Sequence, residues 1–276
     1  MPAYARPTRI EDALTILARG GRTILAGGTD YYPARVGKPL DDDVLDVTAL
    51  RELRGISEHA DHWRIGATTS WTEVIEATLP PLFDCLKLAA REVGGLQIQN
   101  SGTVAGNVCN ASPAADGVPA LLALDASIEI ASSGTTRVLP LDRFILGPRK
   151  TALRAGELVT GVRVPKPKHE AKSDFLKLGA RRYLVISIAM VATVLEVQDG
   201  KVRAARIAVG SCSPVARRLP ALEQALNGKP LDRCLSACVR PEHLAALSPI
   251  DDVRGSAAYR SDAALTLIRR SLDRLA

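Results

Sequence analysis

Aromatic side chains are scarce: Phe, Tyr and Trp make up 4% of the 276 residues. Proteins that hold single-stranded nucleic acid stack its bases on such rings, so no platform of that kind is expected. The net charge is +6, but the basic residues occur in scattered pairs such as Arg181-Arg182, Arg217-Arg218 and Arg269-Arg270, never five in a run. That spread suits an anionic ligand or an acidic partner protein as well as a nucleic acid. Cysteine is sparse too. Cys85, Cys109, Cys212, Cys234 and Cys238 are odd in number and scattered. Cys234 and Cys238 have no second pair or nearby histidine to complete a zinc set. No four-cysteine group is present for an iron–sulfur cluster, which leaves reduced thiols as the expected state. Long apolar runs are missing as well. No window approaches the ~18 apolar residues of a membrane span, and the most apolar stretch, residues 184–197, is interrupted by Glu196. The opening MPAYARPTRIEDAL lacks the apolar core of a signal peptide. No membrane span and a cytoplasmic location are expected.

What is present is an ordinary globular composition, 46% hydrophobic and 24% charged, in a chain long enough for two domains. Thr8 with Glu11, followed by Ile10, Ala13, Leu14 and Leu17 at helical spacing, predicts a capped helix ended by Gly20-Gly21. Short strands are expected at TILAGG, DVLDV and HWRIGA, and helices at SWTEVIEA and LFDCLKLAAREVGG. Further strands are expected near residues 127–130, 137–139, 158–164, 175–178, 187–197 and 202–210, with helices near Ala221, over 236–247 and over 257–275. This mixture is α+β. PKPKHEAKSD, residues 165–174, has two prolines and three lysines and no large apolar side chain, so it reads as a linker. It divides the chain into a glycine-rich domain, 1–168, and a second domain of strands followed by helices, 169–276.

Two glycine-bearing stretches carry the functional signal. In LAGGTDYYP, Gly27 and Gly28 follow a short strand. Glycine lets backbone N–H groups approach a ligand with no Cβ in the way, and successive free N–H groups form an anion-binding nest. Thr29 adds a hydroxyl donor, whereas Asp30 is awkward beside a phosphate and is expected to cap a turn or point away. A plain tight turn explains the same residues. The second stretch, NSGTVAGNVCNASPAAD, gathers Gly102, Thr103, Gly106, Asn107, Asn110 and Ser112 without a charge until Asp116. Ser112-Pro113 looks like a helix start, and a helix N-terminus beside such a loop suits a pyrophosphate. A buried small-residue turn fits this stretch equally well. Neither a G-x-G-x-x-G after a strand nor a Walker lysine loop is present.

AGGTD followed by NSGTVAGNVCNASPAAD resembles the paired flavin loops of the FAD-binding subunit of molybdenum hydroxylases, the family of carbon monoxide, aldehyde and xanthine dehydrogenases. ELVTGVRVP, FLKLGARR and PIDDVRGSAAYR resemble later segments of that family in the same order, so the likeness spans nearly the whole chain. It implies an α+β fold: a two-part FAD-binding domain of the vanillyl-alcohol-oxidase-like type, then an α+β C-terminal domain with helices on one face of its sheet. It also implies that Ile24, Leu25, Ala26, Gly27, Gly28, Thr29, Asp30 and Tyr31 wrap the FAD pyrophosphate. Thr103, Val104, Ala105, Gly106 and Asn107 would reach the same phosphates and the ribityl chain. Asp116 would bond sugar or ribityl hydroxyls, Val159 would line a cofactor wall, and Lys177 would sit by the flavin. No histidine lies in either loop, so FAD would be held non-covalently, and no catalytic acid or base is assigned to this chain. By the same resemblance, two 2Fe–2S clusters belong to a small partner subunit and molybdopterin to a large one, in a dimer of heterotrimers. Ala105 stands where the family commonly has glycine, and Tyr31-Tyr32 replaces a commoner aliphatic pair. Arg181, Arg182 and Tyr183 either border the flavin edge or are surface groups at a strand end. A self-sufficient FAD oxidoreductase and a redox-inactive nucleotide-binding or scaffold module are the alternative readings.

Overall fold

Ile10, Ala13, Leu14 and Leu17 do form a helix, α1 (Ile10–Ala18), with Ala13 and Leu17 buried. Its cap is not the expected one. Arg9 occupies the N-cap position without a side-chain bond, and the Ile10 N–H donates instead to Glu52 Oε1 at 2.7 Å. A carboxylate distant in sequence thus replaces the local Thr8/Glu11 pair. The computed structural model describes residues 2–276. Strands β1 (Tyr4–Ala5), β2 (Thr23–Leu25) and β3 (Val44–Asp46) form a parallel sheet in the order β1-β3-β2.

Strands β4 (Ile56–Glu58), β5 (His62–Gly66), β6 (Ser127–Ser132), β7 (Thr135–Pro140) and β10 (Leu158–Pro165) make an antiparallel sheet in the order β4-β5-β10-β6-β7. The excursion between β7 and β10 holds α7 (Leu141–Phe144) and a small hairpin of β8 (Ile145–Gly147) and β9 (Lys150–Thr151). Between β5 and β6 the chain makes five helices: α2 (Trp71–Glu76), α3 (Asp84–Glu92), α4 (Leu96–Ser101), α5 (Val104–Asn110) and α6 (Gly117–Ala123). Ser70 and Glu73 close a reciprocal capping box on α2. The expected helix start at Ser112 is a correction: Ser112 Oγ accepts the Ala114 N–H in a turn, and α6 begins only at Gly117. The Pro113 carbonyl is engaged by the Ser211 N–H at 3.1 Å, which holds this segment against the later part of the chain.

Strands β11 (Glu170–Leu178), β12 (Ala189–Gln198), β13 (Lys201–Gly210) and β14 (Arg217–Arg218) form a second antiparallel sheet in that order. Strand β11 takes up the last residues of the Pro/Lys-rich stretch, because Glu170 to Asp174 pair with β12. Helices α8 (Pro220–Leu226) and α9 (Ala257–Leu275) cover one face of this sheet; α3 and α6 from the first half cover the other. On β12, Met190, Ala192 and Val194 join one apolar cluster, and Ala189, Val191 and Leu195 join the second. A strand buried on both faces reads as a continuous apolar run, which accounts for the stretch at 187–197. The expected helix over 236–247 is instead two short 3-10 turns, Leu235–Cys238 and Pro241–Leu244. Pro241 has no N–H to continue an α-helical ladder.

The segment before α9 is tied down by Arg260, whose side chain is 3% exposed. Its guanidinium donates to the Ile188 and Ser211 carbonyls at 2.7 and 3.0 Å and to Asp252 Oδ1 at 2.6 Å. The Arg254 backbone N–H, helped by the Arg260 and Arg254 side chains, holds the Asp252 carboxyl down to about 2 from its ordinary 3.8. A lowered carboxylate stabilises the fold above its unfolded value and loses that effect as pH falls. Asp252→Asn is therefore expected to lower the thermal midpoint at neutral pH. The gap to the parent protein should shrink as pH drops from 3.8 toward about 2. A gap that stays constant across that range would disprove the coupling.

Candidate functional site

Strand β2 ends at Leu25, and the chain then crosses the mouth of a cleft of about 900 Å³. One wall is Ile24, Leu25, Ala26, Gly27, Gly28, Thr29, Asp30 and Tyr31; the facing wall includes Gly102, Thr103, Ala105, Gly106 and Asn107. Val47, Ala67, Leu158 and Val159 give the cleft an apolar side. A register shift between Val159 and Gly161 interrupts the pairing of β10 with β6 beside that wall. The two glycine-bearing stretches of the sequence therefore meet across one space.

They meet backbone to backbone. A Cβ on Gly27 would lie 1.9 Å from the Ser101 carbonyl oxygen and 2.9 Å from Gly102 Cα. Gly28 has φ +71°, and the Tyr32 ring stands 2.6 Å from where its Cβ would be. The Tyr32 N–H returns to the Gly28 carbonyl at 3.1 Å and closes the turn. Among the described residues, the backbone N–H groups of Gly27, Gly28, Thr29, Asp30 and Tyr31 donate to no protein acceptor. Five successive unpaired donors lining a cleft form a nest suited to an anion.

The second stretch is more regular than its composition suggests. Thr103 caps α5, its Oγ1 accepting the Gly106 N–H at 3.1 Å. The Trp71 N–H donates to the Gly102 carbonyl and the Val104 N–H to the Thr69 carbonyl, which staples the stretch to the start of α2. Val104 consequently faces the core rather than the cleft. Asn107 lines the cleft, and its buried Oδ1 has no partner. The Asp30 carboxylate reaches the second stretch within the cleft lining, its Oδ2 accepting from Asn110 Nδ2 at 2.8 Å, and the Asp30 carbonyl receives the Ala34 N–H.

Asp116 and Lys177 come together, although neither borders the cleft. Lys177 Nζ donates to Asp116 Oδ2 at 2.9 Å and to the Glu92 carbonyl at 3.2 Å, and Ser187 Oγ donates to Asp116 Oδ1 at 2.8 Å. Burial pushes the Asp116 carboxyl above its usual range, while the Lys177 ammonium and the Ser187 hydroxyl pull the other way. The pair joins α6 of the first half to β11 of the second.

Several cleft residues carried no sequence signal. Arg149 sits at positive φ, +58°, in the turn between β8 and β9, and its guanidinium reaches the Asn110 side chain from outside both glycine stretches. Only the fold could bring it there. Arg35 lies 3.8 Å over the Tyr31 ring and pairs with Asp42 at 2.6 Å, while the Tyr31 hydroxyl donates to the same carboxylate at 3.0 Å. Tyr31 is thus part of the loop's own scaffold. Cys109 also lines the cleft, half-buried, and burial raises its thiol to about 12. No helix among the described residues is long and apolar enough to cross a membrane.

Residues 1–167 match the model of the FAD binding domain in molybdopterin dehydrogenase, and residues 174–275 match that of the CO dehydrogenase flavoprotein C-terminal domain. The chain is 30% identical over 275 residues to the nicotine 6-hydroxylase medium subunit of Paenarthrobacter nicotinovorans, covering 98% of this chain and 95% of that one. It is 28% identical over 280 residues to the carbon monoxide dehydrogenase medium chain of Hydrogenophaga pseudoflava, covering 98% and 95%. Among solved structures, quinoline 2-oxidoreductase from Pseudomonas putida 86 superposes with a TM-score of 0.88 at 26% identity, covering all of this chain and 96% of that one.

Proposed function

Because this chain belongs to the FAD-binding subunits of the molybdopterin dehydrogenase family, we propose that its cleft holds FAD non-covalently and that the chain carries electrons between partner subunits and an external acceptor. The observation that carries the reading is the run of unpaired amides from Gly27 to Tyr31, set where only glycine permits the loops to touch. Those N–H groups would hold the pyrophosphate. Thr103, Ala105, Gly106 and Asn107 would meet the phosphates and ribityl chain from the facing wall, with Val104 supporting them from the core. Val159 would give an apolar wall to the bound group.

Asp116 and Lys177 keep bonding capacity after pairing. An ammonium has three donors, of which Asp116 and Glu92 take two; the third would serve a flavin end that extends past Val93, beyond the cleft lining that these two side chains do not border. The Asp116 carboxylate likewise retains lone pairs for a hydroxyl. Bound FAD would supply the exchange between two-electron and one-electron chemistry, and the protein's part is to bind, orient and shield. We place substrate oxidation on a large molybdopterin subunit and the 2Fe–2S clusters on a small one, in a cytoplasmic dimer of heterotrimers. This rests on the family and on relatives named as medium subunits or chains.

Arg149, a cation at the cleft wall with no carboxylate partner among the described residues, is expected to add to phosphate binding. Arg149→Met should raise the FAD dissociation constant about tenfold, the loss of one charge-assisted hydrogen bond, with an unchanged melting curve. An unaltered constant would remove Arg149 from the site. The test of the whole reading is the visible spectrum of the purified protein together with the cofactor freed by heating. Oxidised-flavin bands and FAD in the supernatant are expected. A colourless chain that also refuses added FAD, alone and with its native partners, would refute the assignment.

A further inference from the structure

We propose that the connection between β11 and β12, residues 179–187, is the docking site for an acidic one-electron carrier protein that takes electrons from this subunit. The proposal rests on the FAD reading above and names the acceptor class for that site. The connection is closed at its base by the Ile188 N–H on the Leu178 carbonyl at 2.7 Å, and Val185 packs on Gly179 beneath it. Its outer side is apolar and open. Tyr183, Leu184 and Ile186 are 64, 59 and 52% exposed, and Leu96 beside them is 66% exposed. Leu184 lies 3.3 Å from where a Gly95 Cβ would stand, at the start of α4, whose Ile98 lines the cleft. The patch is therefore continuous with the mouth of the cofactor cleft.

Two cations rim it. Arg181 donates to the Leu184 carbonyl and shapes the turn, and Arg182 lies 5.3 Å from the Tyr183 ring. Neither guanidinium pairs with a carboxylate among the described residues. Exposed apolar groups rimmed by charge mark a macromolecular interface, and tyrosine and arginine are the residues that most often anchor one. A dinucleotide would use the arginines but not three outward apolar side chains. The unpaired positive rim, on a chain of net charge +6, selects a partner of negative surface, with the steering and salt sensitivity that follow. The electron balance is two carrier molecules reduced by one electron each for every two-electron equivalent delivered, with two protons released to water.

The experiment uses the native complex with two forms of one carrier: cytochrome c, which is basic, and its succinylated derivative, which is acidic. Sedimentation of the oxidised complex with each form reads binding without turnover. Reduction of each form, and of a small dye, by the complex pre-reduced with dithionite and freed of the excess reads transfer. The acidic form should bind and be reduced about tenfold faster than the basic one at low salt. That preference should vanish at high salt and in the double variant Arg181→Glu, Arg182→Glu, while FAD content and dye reduction stay at the parent level. Leu184→Ser should weaken binding at every salt concentration. Equal handling of the two cytochromes, or a variant that keeps the preference, would overturn the proposal. So would retention on phosphatidylglycerol vesicles in place of the acidic cytochrome, which would assign the patch to a lipid surface. Loss of FAD and of dye reduction in the parent complex would instead count against the function on which the proposal rests.

Discussion

Gly27→Ala should lower FAD affinity on the order of 100-fold and cost about 1–3 kcal/mol of stability, the range for forcing a methyl into packed structure. The added carbon would stand 1.9 Å from the Ser101 carbonyl oxygen, and no rotamer can relieve a clash between two backbones. The loops must part, and the unpaired amides of residues 27–31 move off the pyrophosphate. Each charge-assisted bond lost is worth about 1.5–3 kcal/mol, so two lost bonds reach the stated effect. Gly28→Val is harmful for a different reason: φ +71° strains any side chain, and the obstacle is the exposed Tyr32 ring. Because that ring can swing away, alanine at Gly28 should do less damage than alanine at Gly27. Gly134→Ala is the control, having φ +79° with nothing near its Cβ. Flavin absorbance per chain and the urea midpoint measure both effects. Parent-like flavin content in Gly27→Ala would show that the loops do not close on the cofactor.

Asp116→Ala is expected to cost about 3–5 kcal/mol, the penalty for removing one member of a buried ion pair. Lys177, with a side chain 5% exposed, would be left as a buried charge facing only the Glu92 carbonyl. Asp116→Leu combined with Lys177→Met should recover most of the loss, since two apolar groups leave no charge unpaired. The FAD constant separates structure from binding: the double variant should be stable yet still bind FAD weakly. A stable double variant with normal affinity would confine the pair to holding the two halves together. A loss below about 1 kcal/mol in Asp116→Ala would place the pair in the weak class of solvent-screened bridges.

The sequence allowed the longer strands and most long helices to be recognised because their apolar periods are strong, as in α1 and the doubly buried β12, while the short strands β1, β4, β8, β9 and β14 went unseen. It hid α4 and α5. The VAGNVCN of α5 offers only Val104 and Val108 as a stripe, and its helix depends on a Thr103 cap and on staples to Thr69 and Trp71 that are tertiary in origin. The proline at 113 and serine at 112 imitated a helix start, but a docked turn there outweighs local propensity. In the same way the approach of the two glycine stretches to one ligand was implied by the resemblance to paired loops, whereas the Gly27–Ser101 contact and Arg149 were invisible. Its place depends on the β8–β9 hairpin folding back across the chain, a contact with no local signature.

The sheet of β11 to β14 has one more consequence. Its two faces are covered by helices from opposite halves of the chain, so the linker near residue 168 divides the polypeptide but not the hydrophobic interior. Cleaved there, the trailing fragment would bare the face that α3 and α6 cover, and patches of that kind aggregate. A lineage that exchanged its trailing half with a relative would also have to exchange the matching surfaces of α3 and α6, and recombination at the linker alone would yield hybrids that do not fold.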